Sequence, residues 1–245
     1  MTKKISLKQF LMRTGQFEKS FDCESAIREG KVTLNRKIAT NPRFFFNPGK
    51  DVVKINDKKI KIIKKLYFVM NKPAGYVTQK SNYEKNVYDL LKKLNLSENE
   101  IKSLFAAGRL DKETEGLLII TNDGKLSKAV MNPGNNIEKN YFAILEKPSS
   151  REGIKKLEEG VFIADDKQKY ITLPAKIRMK NEKEIYITIT EGKKRQIRKM
   201  LEAVGNKVIY LRRESINGLT LKNIEIGQIV QLARIDLYKK LGLSL

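Results

Sequence analysis

Between Gly108 and Gly124 the chain reads G-R-L-D-K-E-T-E-G-L-L-I-I-T-N-D-G. The first half is polar. The second is an apolar run closed by Asn122-Asp123-Gly124, three turn-forming residues in succession. Leu117 to Ile120 are apolar without interruption, the pattern of a short strand covered on both faces. Gly108 and Gly116 bound a loop that offers Asp111, Glu113 and Glu115 beside Arg109 and Lys112. Carboxylates can act as nucleophiles or as general acids and bases, and a loop braced by apolar elements is a common site for them. By residue type alone, an exposed charged loop is the better fit.

Working outward, Leu66–Met70, Tyr141–Leu145 and Ile185–Ile189 read as further strands, the first ending in a loop at Asn71-Lys72-Pro73-Ala74-Gly75. Val87, Leu90, Leu91 and Leu94 have helical spacing. Ser97 and Glu100 form a capping-box pattern ahead of Ile101, Leu104 and Phe105. Ile197, Met200, Leu201 and Val204 mark a helix closed by Gly205. Upstream, Leu7, Phe10 and Leu11 predict a helix stopped by Gly15. Asp22 is the expected N-cap of a second helix that runs through Arg28 and is closed by Gly30. Lys31 to Leu34, a turn at Asn35-Arg36 and a return to Ile38 read as a hairpin. Val52–Ile55 is a strand followed by a turn at Asn56-Asp57. The fold class is α+β: a small basic N-terminal α/β module over residues 1–62, then a larger mixed-sheet domain over residues 63–245.

Charge narrows the partner. Lys and Arg total 50 against 28 Asp and Glu, a net +22, and residues 1–65 carry 17 against 6, or +11 of that excess. With 40% apolar residues the chain is expected to be ordered. A basic globular protein points to a polyanion, nucleic acid first, against the plainer alternative of a lysine-rich solvated surface. Composition also excludes chemistry. There is no histidine, so Ser-His-Asp and Cys-His catalysis are out. Cys23 is the only cysteine, which excludes an intrachain disulfide and a cysteine-cluster metal site. Met1–Gln9 lack the apolar stretch of a signal peptide, and no run of ~18 apolar residues predicts a membrane span. A cytoplasmic protein with no membrane partner is expected.

Two further clusters matter. Glu191 to Arg213 holds Lys193, Lys194, Arg195, Arg198, Lys199, Lys207, Arg212 and Arg213. A basic helix face suits phosphate contacts, or is simply solvated. Arg198 lies beside the apolar stripe, within reach of a cleft. Lys139-Asn140-Tyr141 sets an aromatic next to a base, suited to stacking on a nucleobase or to a place in the core.

In order along the chain, these segments resemble the RsuA/RluB/RluE/RluF-type family of RNA pseudouridine synthases. Residues 5–55 are similar to its S-four RNA-binding domain, through Ser6–Leu11, Ala26–Val32 and Pro48–Asp51, though Ser6, Lys8, Gln9 and Phe17–Phe21 depart from the usual pattern. Leu66–Gly75 resembles its strand and N-K-P-x-G loop. Gly108–Gly124 resembles its catalytic motif, Lys139–Tyr141 its K-x-Y motif with Asn140 in place of Thr, and Glu191–Met200 its basic helix. The resemblance implies isomerisation of uridine to pseudouridine in RNA, chiefly ribosomal RNA. It implies Asp111 as nucleophile, Tyr141 stacked on the target base and Arg198 paired with Asp111. It implies RNA contacts from Arg109, Lys139, Lys193, Lys194, Arg195 and Lys199. No cofactor or metal is implied, and a monomer is expected. Two readings compete with it: a non-catalytic RNA-binding or ribosome-assembly factor on this fold, and a glycosidase pairing Asp111 with Glu113 or Glu115.

Overall fold

The computed structural model describes residues 4–164 and 169–244. It divides into two compact units, Met1–Lys65 with Leu91–Phe105, and Leu66–Leu90 with Ala106–Leu245. The division falls at Lys65/Leu66, and the return of Leu91–Phe105 to the first unit has no local sequence signal. Gly15 makes it visible: at φ +68 it sits so close to Asn99 that a Cβ would lie 1.8 Å from the Asn99 carbonyl oxygen.

In the first unit β1 (Ile5–Ser6) leads into α1 (Leu7–Met12), followed by α2 (Ser20–Arg28), β2 (Val32–Leu34), β3 (Lys37–Ile38), β4 (Phe45–Phe46), β5 (Val53–Ile55) and β6 (Lys58–Lys59). Ser6 and Gln9 close a reciprocal capping box at α1. That helix ends at Met12, one turn before the expected stop at Gly15. α2 starts at Ser20 with Lys19 in the cap position, so Asp22 is not the N-cap. It lies in the first turn, where a carboxylate suits the positive end of the helix dipole. The expected close at Gly30 is a Schellman turn: Gly30 N–H donates to Ile27 and Lys31 N–H to Ala26. Asn35-Arg36 and Asn56-Asp57 both have positive φ, the geometry of tight hairpin turns. Strand order is β3-β2-β5-β6. Leu7, Phe10, Leu11, Cys23, Ile27, Val32, Phe46 and Val53 form the core between sheet and helices.

The second unit contains β7 (Tyr67–Lys72), and after it the chain runs through α3 (Val87–Leu91), α4 (Glu98–Ser103) and β8 (Phe105–Ala106). Then come β9 (Glu115–Thr121), α5 (Gly124–Met131), β10 (Lys139–Leu145), α6 (Arg151–Glu159), β11 (Phe162–Ala164), β12 (Lys169–Ile171), β13 (Lys176–Met179) and β14 (Glu184–Ile189). Last are α7 (Gln196–Ala203), β15 (Val208–Ile216), β16 (Leu219–Thr220), β17 (Ile229–Gln231) and α8 (Arg234–Leu241). The main sheet runs β13-β14-β10-β15-β9-β7-β17. It is mixed: β15 and β9 are parallel, while β10–β14, β10–β15 and β7–β9 are antiparallel. The α+β class and the mixed sheet agree with the sequence expectation.

Three local expectations change. β7 continues through Asn71 and Lys72, both buried, so the loop begins at Pro73. α3 stops at Leu91, and Leu94 lies beyond it. Asn122-Asp123-Gly124 ends β9 and also starts α5, because the Asp123 side chain accepts from Lys125 N–H as N-cap. Its other oxygen accepts from the Tyr67 and Tyr238 hydroxyls at 2.9 and 3.2 Å. The Ser97–Glu100 capping box is present at α4 as expected.

Candidate active site

The site is set by register. In β15, Arg213 lies directly opposite Tyr141 of β10 on one side and Gly116 of β9 on the other. Cross-strand partners point to the same face, so Tyr141 and Arg213 share one. Gly116, at φ +108, allows the approach of β9 to β15: a Cβ there would lie 2.3 Å from the Arg213 carbonyl oxygen. A cleft of about 550 Å³ opens beside this row of residues. Its walls include Asp111, Tyr141, Arg198 and Arg213, with Arg109, Lys139 and the start of α7 around them.

Asp111 sits on a loop fastened from below. Lys72 has no exposed surface. Its ammonium donates to the carbonyls of Pro73, Asp111, Lys112 and Thr114 at 2.8–3.2 Å. Burial pushes this lysine down to about 8, against the pull of Glu113, Glu115 and Asp111. The Thr78 hydroxyl donates to the Leu110 carbonyl and accepts from Leu110 N–H, and Gly75 N–H donates to the Lys112 carbonyl. The loop is therefore held by its backbone, leaving the Asp111 carboxylate on the cleft wall.

α7 brings in Arg198, which is almost fully buried. One guanidinium nitrogen donates to the Val208 carbonyl at 3.1 Å, and Nε is buried without a partner. Burial and nearby Arg195 push this guanidinium below its ordinary value, with Asp111 pulling the other way. The expected Arg198–Asp111 pair is not a direct contact: among the described residues no ion pair within 4.0 Å joins them, and they interact across the cleft. Tyr141 is 7% exposed, so it is at once a buried tyrosine and a cleft wall.

The expected RNA contacts divide. Arg109, Lys193, Lys194 and Arg195 are exposed and rim the cleft. Arg195 caps α7 in a left-handed conformation and lies 3.8 Å from Glu113. Lys139 turns inward and donates to the carbonyls of Ile137 and Thr190. Burial, then Arg213, lower it to about 8. Lys199 is outside the cleft walls and donates to the Ala164 carbonyl. Arg195 stands at the N-cap in a left-handed conformation, outside the helical repeat that holds Lys199, so their i, i+4 spacing does not put the two on one surface. Glu113 and Glu115 are also off the cleft wall, and Glu115 accepts from the Tyr210 hydroxyl at 2.6 Å. Of the three carboxylates on this loop, Asp111 is the one on the cleft wall.

Sequence reasoning gave no role to Lys72, Thr78 or Arg213. Lys72 and Arg213 stood inside noted segments. Their partners lie roughly 40 and 70–100 positions away, so nothing local marks them.

The family described as RNA pseudouridylate synthase matches residues 66–203. An uncharacterized RNA pseudouridine synthase, YtzG, of Bacillus subtilis (strain 168) is 35% identical over 82% of this chain and 83% of its own length. Ribosomal large subunit pseudouridine synthase B of the same organism is 34% identical, over 85% of this chain and 84% of its own. Ribosomal small subunit pseudouridine synthase A of Escherichia coli (strain K12) is 34% identical, over 80% and 82%. A crystal structure of a pseudouridylate synthase superposes with a TM-score of 0.68 at 26% identity, covering 96% of this chain and 99% of that one.

Proposed function

The chain belongs to the RNA pseudouridylate synthase family and is an enzyme of that isomerase class, and from that premise we propose that it converts a specific uridine of ribosomal RNA to pseudouridine. The observation that carries this reading is the cleft holding Asp111, Tyr141 and Arg198 on three different elements.

In the proposed reaction the uridine is flipped out of its stack into the cleft, at a cost of a few kcal/mol. The Asp111 carboxylate attacks ribose C1′, and the C1′–N1 electron pair leaves with the base. The uracil turns, C5 bonds to C1′, and the aspartate departs. C5 loses a proton and N1 gains one, so the atoms of substrate and product are the same. The Tyr141 ring supplies the face on which the base is held, worth ~1–3 kcal/mol by stacking. Arg198 keeps positive charge across the cleft from the nucleophile. Arg109, Lys193, Lys194 and Arg195 bind phosphates at the rim. The first unit acts as an S-four-type RNA-binding module, as in the RsuA/RluB/RluE/RluF subfamily. The enzyme works in the cytoplasm as a monomer and without a cofactor. Among the described residues no cluster of metal-ligating side chains occurs, and no helix is long and apolar enough to cross a membrane.

Ribosomal RNA is supported by the relatives named for the large and small ribosomal subunits. The test is tritium release from carbon-5-labelled uridine in large- and small-subunit ribosomal RNA transcripts. Release with one RNA, lost in Asp111→Asn while RNA affinity stays within a few-fold, is expected. Equal loss of binding and turnover in that variant would remove Asp111 from the reaction. Tight binding with no release from either RNA would move the substrate to tRNA or a ribosome assembly intermediate, or favour the binding-factor reading.

A further inference from the structure

Arg213 is 3% exposed and lies on the wall of the cleft. Its Nε donates to the Leu117 carbonyl at 2.7 Å. One η nitrogen reaches the Tyr141 hydroxyl at 3.4 Å, and the other is buried with no partner. Among the described residues no carboxylate lies within ion-pair distance of it. Lys72, fully buried, and Lys139, half-buried, are lowered first by burial and further by its charge. A buried guanidinium with no counter-ion and one unmet donor is costly. Such groups in native structures call for a functional account. The simplest is that the cleft's occupant brings the acceptor.

We propose that Arg213 is a substrate-contacting residue, its free η nitrogen donating to a carbonyl oxygen of the flipped uracil. This rests on the pseudouridine synthase reading above and deepens it. When the C1′–N1 bond breaks, its electron pair stays on the base, and the charge spreads over N1, O2 and O4. A fixed donor in a cleft that excludes water is worth most where charge develops. The turn the base must make suits a single donor. Rotation about the N3–C6 axis exchanges N1 with C5 and, with them, O2 with O4. A donor that meets one carbonyl before the turn meets the other after it, and it stabilises the anion between the two. Arg213 is in register with Tyr141, so the donor and the stacking face are held by one strand pair.

The experiment exchanges the acceptor as well as the donor. Ribosomal RNA transcripts carrying uridine, 2-thiouridine or 4-thiouridine are turned over by wild type, Arg213→Met and Arg213→Lys. Pseudouridine formation is measured under single-turnover conditions. Sulfur accepts hydrogen bonds poorly, so each thio substitution should slow wild type by about tenfold more than it slows Arg213→Met. Arg213→Lys should recover part of the rate and part of the sensitivity. Equal thio penalties in wild type and both variants would overturn the contact, since a merely structural arginine lowers all substrates alike. If Arg213→Met does not fold, Arg213→Lys and Arg213→Gln carry the same comparison. Wild type inactive on unmodified RNA would instead reject the parent reading.

Discussion

Lys72 shows how a single residue fixes the site. One ammonium serves four carbonyls, three of them on the loop that carries Asp111. Lys72→Met would leave those acceptors buried and unmet, at about 1–3 kcal/mol for each that water cannot reach. The loop should loosen, and kcat should fall further than RNA affinity. pH gives a separate handle. The folded value, near 8, is below the ~10.4 of an unfolded lysine. Between these values the unfolded chain binds the extra proton, so this group's contribution to stability rises with pH there and is lost as pH falls through 8. Turnover should move the other way, because a neutral amine has two donors for four carbonyls. A pH–rate profile should therefore descend near pH 8 in wild type and in Lys139→Met, and lose that limb in Lys72→Met. A limb abolished by Lys139→Met would assign the titration to Lys139 instead. A lysine after an apolar run reads as the end of a strand, and only the folded chain brings it its acceptors. Asp111 and Arg198 were legible because their own segments carry the pattern.

At the scale of elements, β9 and β15 meet through a short parallel ladder whose register pairs are Arg212 with Glu115 and Arg213 with Gly116. Gly116 and Gly108 both have positive φ, but their surroundings differ. A Cβ at Gly108 meets nothing within 4 Å, whereas one at Gly116 meets the Arg213 backbone. Gly108→Ala should cost only the dihedral strain, about 1–2 kcal/mol. Gly116→Ala adds a backbone clash that a side-chain rotation cannot relieve, and a total of about 3–4 kcal/mol is expected. Urea unfolding should show the larger midpoint shift for Gly116→Ala at an unchanged m-value. Equal shifts would mean that the strands can part without penalty. The strands, the hairpin turns and the Ser97 capping box were legible because alternation, turn residues and caps are local. The close strand approach was not, because a glycine bounding a polar loop looks the same whether or not another backbone passes it.

For the whole molecule the question is what the charge is for. In the four-stranded sheet of the first unit, Ile38, Thr33, Lys54 and Lys59 form one cross-strand row. Val32 and Val53 belong to the opposite, buried face. Lys54 and Lys59 are direct cross-strand partners, and like charges so placed repel. A sheet gains nothing for its own stability from that pair, whereas a phosphate chain laid across the row would. Lys54→Gln with Lys59→Gln should thus stabilise the free protein by a few tenths of a kcal/mol while weakening RNA binding. The salt dependence separates charge from packing. Each lost phosphate contact should flatten the slope of log affinity against log salt by about 0.7–0.9. A flattening of about 1.5 for the double variant, with kcat at saturating RNA unchanged, would assign this row to RNA capture and leave turnover to the cleft. Raised stability with an unaltered slope would mean that the row faces solvent and that the phosphates are met elsewhere.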